Sequence, residues 1–312
     1  MPPKVSIILV NLNQERHTRE CIQSLQKLSY PTVEIILIDN GSIDGSGARI
    51  HEEFPSVLYK RLETNTGFAG GNNVGIQAAL AHGAEYVMLL NNDTVVDPGC
   101  IQPLVDFDLA NPDIGTQCGK IYFFSEANKI WFAGGSYSVE RASSRHPGMH
   151  EPDNGQYDKV DETDFATGCM MFIRRSVLEK VGLLDDSLFA YFEDTDWCLR
   201  ARKLGYRIIY NPRSKIWHKI SVTSKIDSPA YLYLLMRNKI LMVRKHGRPG
   251  LWPVYLPYFV YFYSRHILRM ALKHRSALGT RAIITGLVDG LSHRTSNHGK
   301  GHLARFASPG MA

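Results

Sequence analysis

Cysteine is scarce in this 312-residue chain and forms no pairs: Cys21, Cys100, Cys118, Cys169 and Cys198 include no Cys-x-x-Cys. That excludes a disulfide scaffold and a thiolate zinc framework, and points to buried, reduced thiols in a cytosol-like compartment. Long apolar runs are also missing. The run from Val5 to Val10 is too short for the core of a signal peptide. Residues 249–264, PGLWPVYLPYFVYFYS, carry no charge, but they are too few to span a bilayer as a straight helix and contain Pro253 and Pro257. Acidic residues almost vanish from the last third. Residues 201–312 carry 20 Lys and Arg against two acids, while residues 1–200 carry 16 against 28. The net charge of +6 therefore hides an acidic front and a basic rear, and 44% hydrophobic residues is ample for a globular core.

Short β-type runs fill the first hundred residues: VSIILV (5–10), EIILID (34–39), VLYKRL (57–62) and YVMLLN (86–91), with helical spacing between them. Such alternation predicts an α/β fold with a parallel sheet, its ligands bound at the carboxyl ends of the strands. Polar clusters stand at those ends: NLNQ, DNGSIDGS, ETNTGFAGGNN and NNDTVVDPG. Between 112 and 170 the pattern becomes shorter and glycine-studded, which predicts a mixed sheet with antiparallel strands. Helices are expected over 174–181, 194–204 and 228–247, short strands at RIIY and SKIWH, and a loose polar tail at the end. The aromatic stretch 249–264, followed by RHILRMALKHR, has apolar and basic elements side by side, as in an interfacial anchor. An aromatic helix packed on the rest of the protein, or on a second copy, would read the same way.

Most of the polar clusters have an ordinary explanation beside a chemical one. Asp39 ends a strand at an Asn-Gly turn, and is also placed for a nucleobase or ribose at a switch-point crevice. NTGFAGGNNVGI fits neither G-x-G-x-x-G nor the phosphate-loop pattern, which argues against a dinucleotide dehydrogenase or a phosphate-loop ATPase. Its glycines serve either close approach to an anion or tight helix-on-strand packing. Asp93 leaves an apolar strand as a turn residue or as a cation ligand, and His218 in KIWHKIS is a distant candidate partner. In YFEDTDWCLRARKLGY, Glu193, Asp194 and Asp196 precede Arg200, Arg202 and Lys203, the charge order of a helix start and end. The basic region carries no helix-turn-helix, zinc-finger or RNA-binding signature, so nucleic acid is not an expected partner.

Taken together, VSIILVNLN, EIILIDNGSIDGS, NTGFAGGNNVGI, LLNNDTVVDPG, ATGCMMFIRRSVLEKVGLLDDSLFAYFEDTDWCLRARKLGYRI and WH resemble, in order and spacing, the family 2 inverting glycosyltransferases of the GT-A fold. The likeness is strongest to the bacterial rhamnosyltransferase-like and galactofuranosyltransferase-like branch, and covers residues 4–225. It implies a GT-A fold, a Rossmann-like nucleotide-binding half fused to a mixed-sheet acceptor half, over 1–225; the basic, aromatic-rich helical C-terminal extension over 226–312 is read from its composition alone. By the same resemblance Asp39 recognises the nucleotide, and Asn11, Asn65, Gly67, Asn72, Asn92, Gly168 and Cys169 complete the donor pocket. Asn91-Asn92-Asp93 stands where the family has Asp-x-Asp, so Asp93 would bind Mg²⁺ or Mn²⁺, with His218 as second contact. Asp194 would be the catalytic base, while Asp185, Asp186, Glu193 and Asp196 would face the acceptor.

The activity this implies is transfer of a sugar, L-rhamnose from dTDP-rhamnose first, from a nucleoside-diphosphate donor to a lipid-linked or oligosaccharide acceptor. The expected location is the cytoplasmic face of the inner membrane, with the C-terminal region touching the membrane or a second subunit. Alternatives are a UDP-galactofuranose or UDP-hexose transferase of the same fold, and a glycan-binding scaffold without turnover.

Overall fold

The computed structural model describes residues 1–219, 227–248, 250, 252–292 and 302–306. The expected boundary at 225 and most of the expected tail lie outside them. In chain order the first elements are β1 (Val5–Asn11), α1 (Glu15–Leu25), β2 (Val33–Asp39), α2 (Ser46–Glu53), β3 (Leu58–Arg61), α3 (Gly67–Ala81), β4 (Tyr86–Leu90), β5 (Thr94–Val96), α4 (Gln102–Ala110) and β6 (Ile114–Phe123). Next come β7 (Ile130–Phe132), β8 (Ser136–Ser138), β9 (Ser143–Arg145), β10 (Asp161–Glu162), β11 (Met170–Arg174), α5 (Arg175–Val181), α6 (Glu193–Lys203) and β12 (Arg207–His218). The C-terminal helices are α7 (Pro229–His246), α8 (Trp252–Leu268), continued by a π-helical turn (Arg269–Lys273), and α9 (Ala277–Leu291).

Two compact units divide this chain. The first is built on one mixed sheet with strand order β10-β12-β6-β11-β4-β1-β2-β3, where β5 joins β12 and β7 joins β6. Strands β1 to β4 are mutually parallel, as the alternation predicts. β1 and β4 are near-continuous apolar runs because helices cover both faces of a parallel sheet. Val5, Ile7, Ile8 and Leu9 are fully buried, each worth roughly 1.5–3 kcal/mol of transfer free energy. Helix α3 lies directly on β1: a Cβ at Gly75 would come 2.4 Å from the Ile8 side chain and one at Gly71 2.9 Å from Val10. Those two glycines are therefore accounted for by close packing alone.

The mixed half is entered through β11, which runs antiparallel to both β4 and β6. Because Met170 pairs with Leu90, the start of β11 lies beside the carboxyl end of β4. Two short strands were expected at RIIY and SKIWH; one strand, β12, spans both, with its register on β6 shifting between Asn211 and Lys215. Pro212 lies in that shift and has no N–H to give the ladder, so the period-2 pattern breaks although the strand continues. All five cysteines are free and buried.

The second unit comprises Tyr137–Ser144, Ser187–Phe192 and the C-terminal helices. Ser228 caps α7 by accepting the Tyr231 N–H at 3.2 Å, and Pro229 follows at the first helical position. Within this unit α7 holds a strained segment. Phe189, Tyr191 and Phe192 have φ of 65°, 71° and 73°, left-handed values that cost bulky residues about 1–3 kcal/mol each. Arg237 donates to the carbonyls of Ser187 and Leu188 at 2.9 and 3.0 Å. The Asn238 amide nitrogen lies 2.9 Å from each of the Leu188, Ala190 and Tyr191 carbonyls. Among the described residues no helix is long and apolar enough to cross a membrane.

Candidate active site

The candidate residues gather at the carboxyl ends of β1, β2 and β4, in the first unit. Asp39 ends β2, 2% exposed, and its carboxylate accepts from the Ser42 N–H and the Tyr59 hydroxyl, both at 3.2 Å. A Cβ at Gly47 would sit 2.3 Å from an Asp39 oxygen, so α2 reaches the carboxylate only because that residue is glycine. Asn11 ends β1 fully buried, its amide donating to Ser42 and Ser46 and accepting from Thr18. With its side chain spent on these contacts, Asn11 shapes the loop and can meet a ligand only through its main chain. The 65–67 turn is pinned by Asn40, which donates to Asn65 and to the Gly67 carbonyl while accepting from the Thr66 N–H and hydroxyl. Asn65 also accepts from the Gly67 N–H, and Asn72 is turned back on the Phe68 carbonyl. Asn92 donates to Thr18 at 2.7 Å.

Asp93 and His218 meet. His218 pairs with Thr94 across β12 and β5, so the residue before Thr94 reaches the end of β12, and His218 Nε2 lies 3.1 Å from Asp93 Oδ1. Burial alone would push the imidazole's pKa down, but the Asp93 carboxylate at Nε2 outweighs it and holds the value above that of a free imidazole. His218 Nδ1 is buried without a hydrogen-bond partner, and the Trp131 ring stands edge-on to the imidazole at 4.7 Å. One carboxylate and one imidazole suit Mg²⁺ or Mn²⁺ once a cation arriving at Asp93 displaces the imidazole's proton. Among the described residues no group of three His, Cys, Asp or Glu could enclose a metal, so the pair fits a cation that arrives with oxygen ligands of its own.

Gly168 and Cys169, just before β11, link this pair to Asp194. The Asn91 N–H donates to the Cys169 carbonyl at 3.0 Å, and the Gly168 N–H donates to Asp194 Oδ2 at 2.8 Å. Asp194 Oδ1 accepts from the Thr195 N–H at 2.5 Å and the Thr195 hydroxyl at 3.1 Å. The carboxylate is thus fixed in orientation by three donors. Burial raises its pKa above the usual aspartate value, against the lowering effect of those hydrogen bonds. A carboxylate so raised is a stronger base than an exposed one. The Cys169 thiol is buried and pushed up in pKa, so it acts as packing beside His218 rather than as a nucleophile.

The remaining acids separate. Glu193 is 5% exposed, and burial, with Asp194 and Asp196 next to it, drives its pKa well above the carboxylate range. Burial thus favours its protonated form. Asp196 is fully buried and paired with Arg200 at 2.9 Å, while Arg200 also donates to the Val181 and Leu183 carbonyls. That network turns Asp196 away from an acceptor and into the frame of α6. Asp185 is half-buried, next to Leu184, whose backbone is clasped reciprocally by Asn73 at 2.9 and 3.0 Å; Asp186 is exposed.

Several participants carried no signal in the chain. Asn40 sat in the turn after β2, and Gly47 and Asn73 in the helices α2 and α3, beside residues that looked more chemical. His146, one of twelve histidines, packs against Phe132 and Phe165 at 5.5 Å, and burial pushes its pKa down in spite of the Asp194 charge. It presents a neutral ring near the base.

This mixed sheet, with acids and amides gathered at the strand ends, is a glycosyltransferase architecture. Residues 6–182 match the model of Glycosyl transferase family 2, and the chain belongs to that family. Its relatives include the low-salt glycan biosynthesis hexosyltransferase Agl10 of Haloferax volcanii, 28% identical over 245 residues, 76% of this chain and 74% of that protein. The N-acetylglucosaminyl-diphospho-decaprenol L-rhamnosyltransferase of Mycobacterium tuberculosis is 24% identical over 301 residues, 90% of this chain and 94% of that protein. Among solved structures, GalNAc-T7 with UDP, GalNAc and Mn²⁺ superposes with a TM-score of 0.65 at 17% identity, over 94% of this chain and 58% of that one. The expected GT-A fold with C-terminal helices is thereby established.

Proposed function

We propose that this glycosyltransferase inverts the anomeric centre in a single displacement, taking L-rhamnose from dTDP-rhamnose to a hydroxyl of a lipid-linked glycan. The observation that carries the mechanism is the Gly168-Cys169 bridge, which puts the Asp194 carboxylate and the Asp93–His218 pair at one dipeptide. Asp39 binds the nucleoside, and the main chain around Asn11 and the turn pinned by Asn40 close over it. Asp194 takes the proton of the acceptor hydroxyl as that oxygen bonds to the anomeric carbon and the bond from that carbon to the diphosphate breaks. Negative charge on Asp194 also favours the cationic, oxocarbenium-like sugar. A divalent cation held by Asp93 and His218 would offset charge on the departing diphosphate. Protonated Glu193 holds the start of α6 without adding a second charge beside the base.

The rhamnose reading is supported by the Mycobacterium tuberculosis relative, whose likeness extends through the C-terminal region. That relative's name also supports a polyprenyl-diphosphate acceptor; such an acceptor would bring the basic region to the inner face of the cell membrane. UDP-galactofuranose or a UDP-hexose is the alternative donor, favoured by the hexosyltransferase relative. Incubation with dTDP-rhamnose, UDP-galactofuranose and UDP-hexoses, plus a synthetic lipid-diphosphate acceptor and Mg²⁺ or Mn²⁺, tests it. Release of dTDP with an inverted product is expected. Turnover of a UDP sugar alone would replace the donor, and no turnover of any would leave a binding protein.

A further inference from the structure

Helix α9 is apolar on both faces. Its inward face carries Gly279, Ala282, Ile283, Gly286, Gly290 and fully buried Asp289, while its outward face carries Leu278, Arg281, Ile284, Val288 and Leu291. The four apolar members of that outward row are 46–52% exposed. Spacings of three and four residues put them on one stripe. Helix α8 and its π-helical continuation also expose Leu256, Val260, Leu268 and Leu272 at 56–72%, with Tyr261 at 63%. Isolated exposed leucines need no explanation, but this many on two successive helices do.

Between the end of the π-helical turn and α9 lies an open groove of about 530 Å³, lined by Ala271, Arg275, Ala277, Thr280, Arg281 and Ile284. Two guanidinium groups and two threonines, Thr280 and Thr285, thus share a hollow whose other walls, Ala271, Ala277 and Ile284, are apolar. No ion pair to Arg275 or Arg281 is present among the described residues, whereas Arg269 is paired with Asp227. From residue 201 on, Asp227 and Asp289 are the only acids in the chain, and Asp289 is taken by the Tyr233 hydroxyl and His302.

We infer that the α8–α9 face docks on the surface of an anionic phospholipid bilayer, the groove at Arg275 and Arg281 taking a lipid headgroup phosphate. Interfacial helices combine exposed apolar side chains, which enter the acyl boundary, with Arg and Lys that meet phosphate. Both halves of that pattern are present on one face here. A second copy of the chain is the weaker occupant, because a two-fold contact through this face would set Arg265, Lys273, Arg275 and Arg281 against their own copies with no acid to pair them. This deepens the membrane-contact part of the proposed function, yet it does not depend on the chemistry at Asp194.

Co-sedimentation of the full chain with vesicles tests the inference. Vesicles with roughly one-third phosphatidylglycerol should bind the protein, pure phosphatidylcholine should bind it at least about tenfold less, and salt should weaken the binding. Arg275→Glu with Arg281→Glu should lower the affinity for anionic vesicles by about tenfold or more, as should Ile284→Asp with Val288→Asp. Both pairs lie outside the transfer site, so donor turnover with a soluble acceptor should persist and also reports folding. Equal binding to neutral and anionic vesicles, or undiminished binding by folded variants, would overturn the proposal. So would a concentration-dependent dimer abolished by the same substitutions. Failure of donor turnover in the unaltered chain would instead count against the catalytic reading and leave the vesicle result standing.

Discussion

The crevice of the first unit buries Asp39, Asp93, Glu193 and His218 at 7% exposure or less, while the second unit leaves Leu278, Ile284, Val288 and Leu291 about half exposed. Each arrangement costs free energy in the isolated chain. Buried acids are desolvated, and exposed leucines order water. The first cost is offset locally, by hydrogen bonds to Asp39 and Asp194 and by the Asp93–His218 pair. The second has no such offset among the described residues. A site for small charged ligands can thus be largely complete within the fold, whereas a docking face is completed only by its partner.

The sharpest way to break the first half of this comparison is Asp194→Asn. Transfer should fall by about 10²–10⁴-fold, because the general base is lost while the remaining amide oxygen can still accept from the Thr195 N–H and hydroxyl. The acid limb of the unaltered enzyme's pH–rate profile should also lie above the pKa of a free aspartate, since burial raises Asp194. Unchanged turnover in the variant, measured as nucleoside diphosphate release, would remove Asp194 from the chemistry. Next in size, Asp93→Ala should weaken cation stimulation by at least about tenfold, a floor taken from what loss of a merely supporting group costs. A titration of activity against Mn²⁺ reads it directly.

The second unit is tested by Asn238→Ala, which strips one donor from three buried carbonyls and releases the left-handed segment 187–192. A loss of about 1–3 kcal/mol in denaturant unfolding is expected, and none would mean the segment holds itself. The smallest effect should come from Glu193→Gln, which mimics the protonated acid and leaves turnover within a few-fold. A raised folded pKa means that the folded chain holds the proton more tightly than the unfolded one. The stability this gives is fully present below the unfolded value near 4.5 and is lost as pH rises through the folded value. Glutamine removes that titration, so the variant should gain thermal stability over the native chain at alkaline pH and little at pH 4.

Much of the first unit was legible because its signals are local. Strands β1 to β4 announce themselves as apolar runs ended by Asn, Asp and Gly, and the acids of α6 stand at its first turn, with Arg200, Arg202 and Lys203 in its last and Gly205 at φ 87° beyond. What was illegible is long-range. Asp93 and His218 are 125 residues apart, and only the β5–β12 pairing joins them. Asp196 reads as an acceptor ligand until Arg200 is seen to hold it. The roles of Asn40, Asn73 and Asn238 depend on which carbonyls the fold brings within reach, and no spacing encodes that. Nor does composition separate an aromatic helix facing inward from one facing out; residue-level exposure does.

Calorimetric titration of dTDP and UDP into the unaltered protein, His218→Ala and Asp194→Asn, each with and without Mn²⁺, tests the division of labour in the crevice most directly. The account predicts that Mn²⁺ tightens nucleotide binding in the unaltered protein and in Asp194→Asn, and does so far less in His218→Ala. Equal tightening in all three would contradict it.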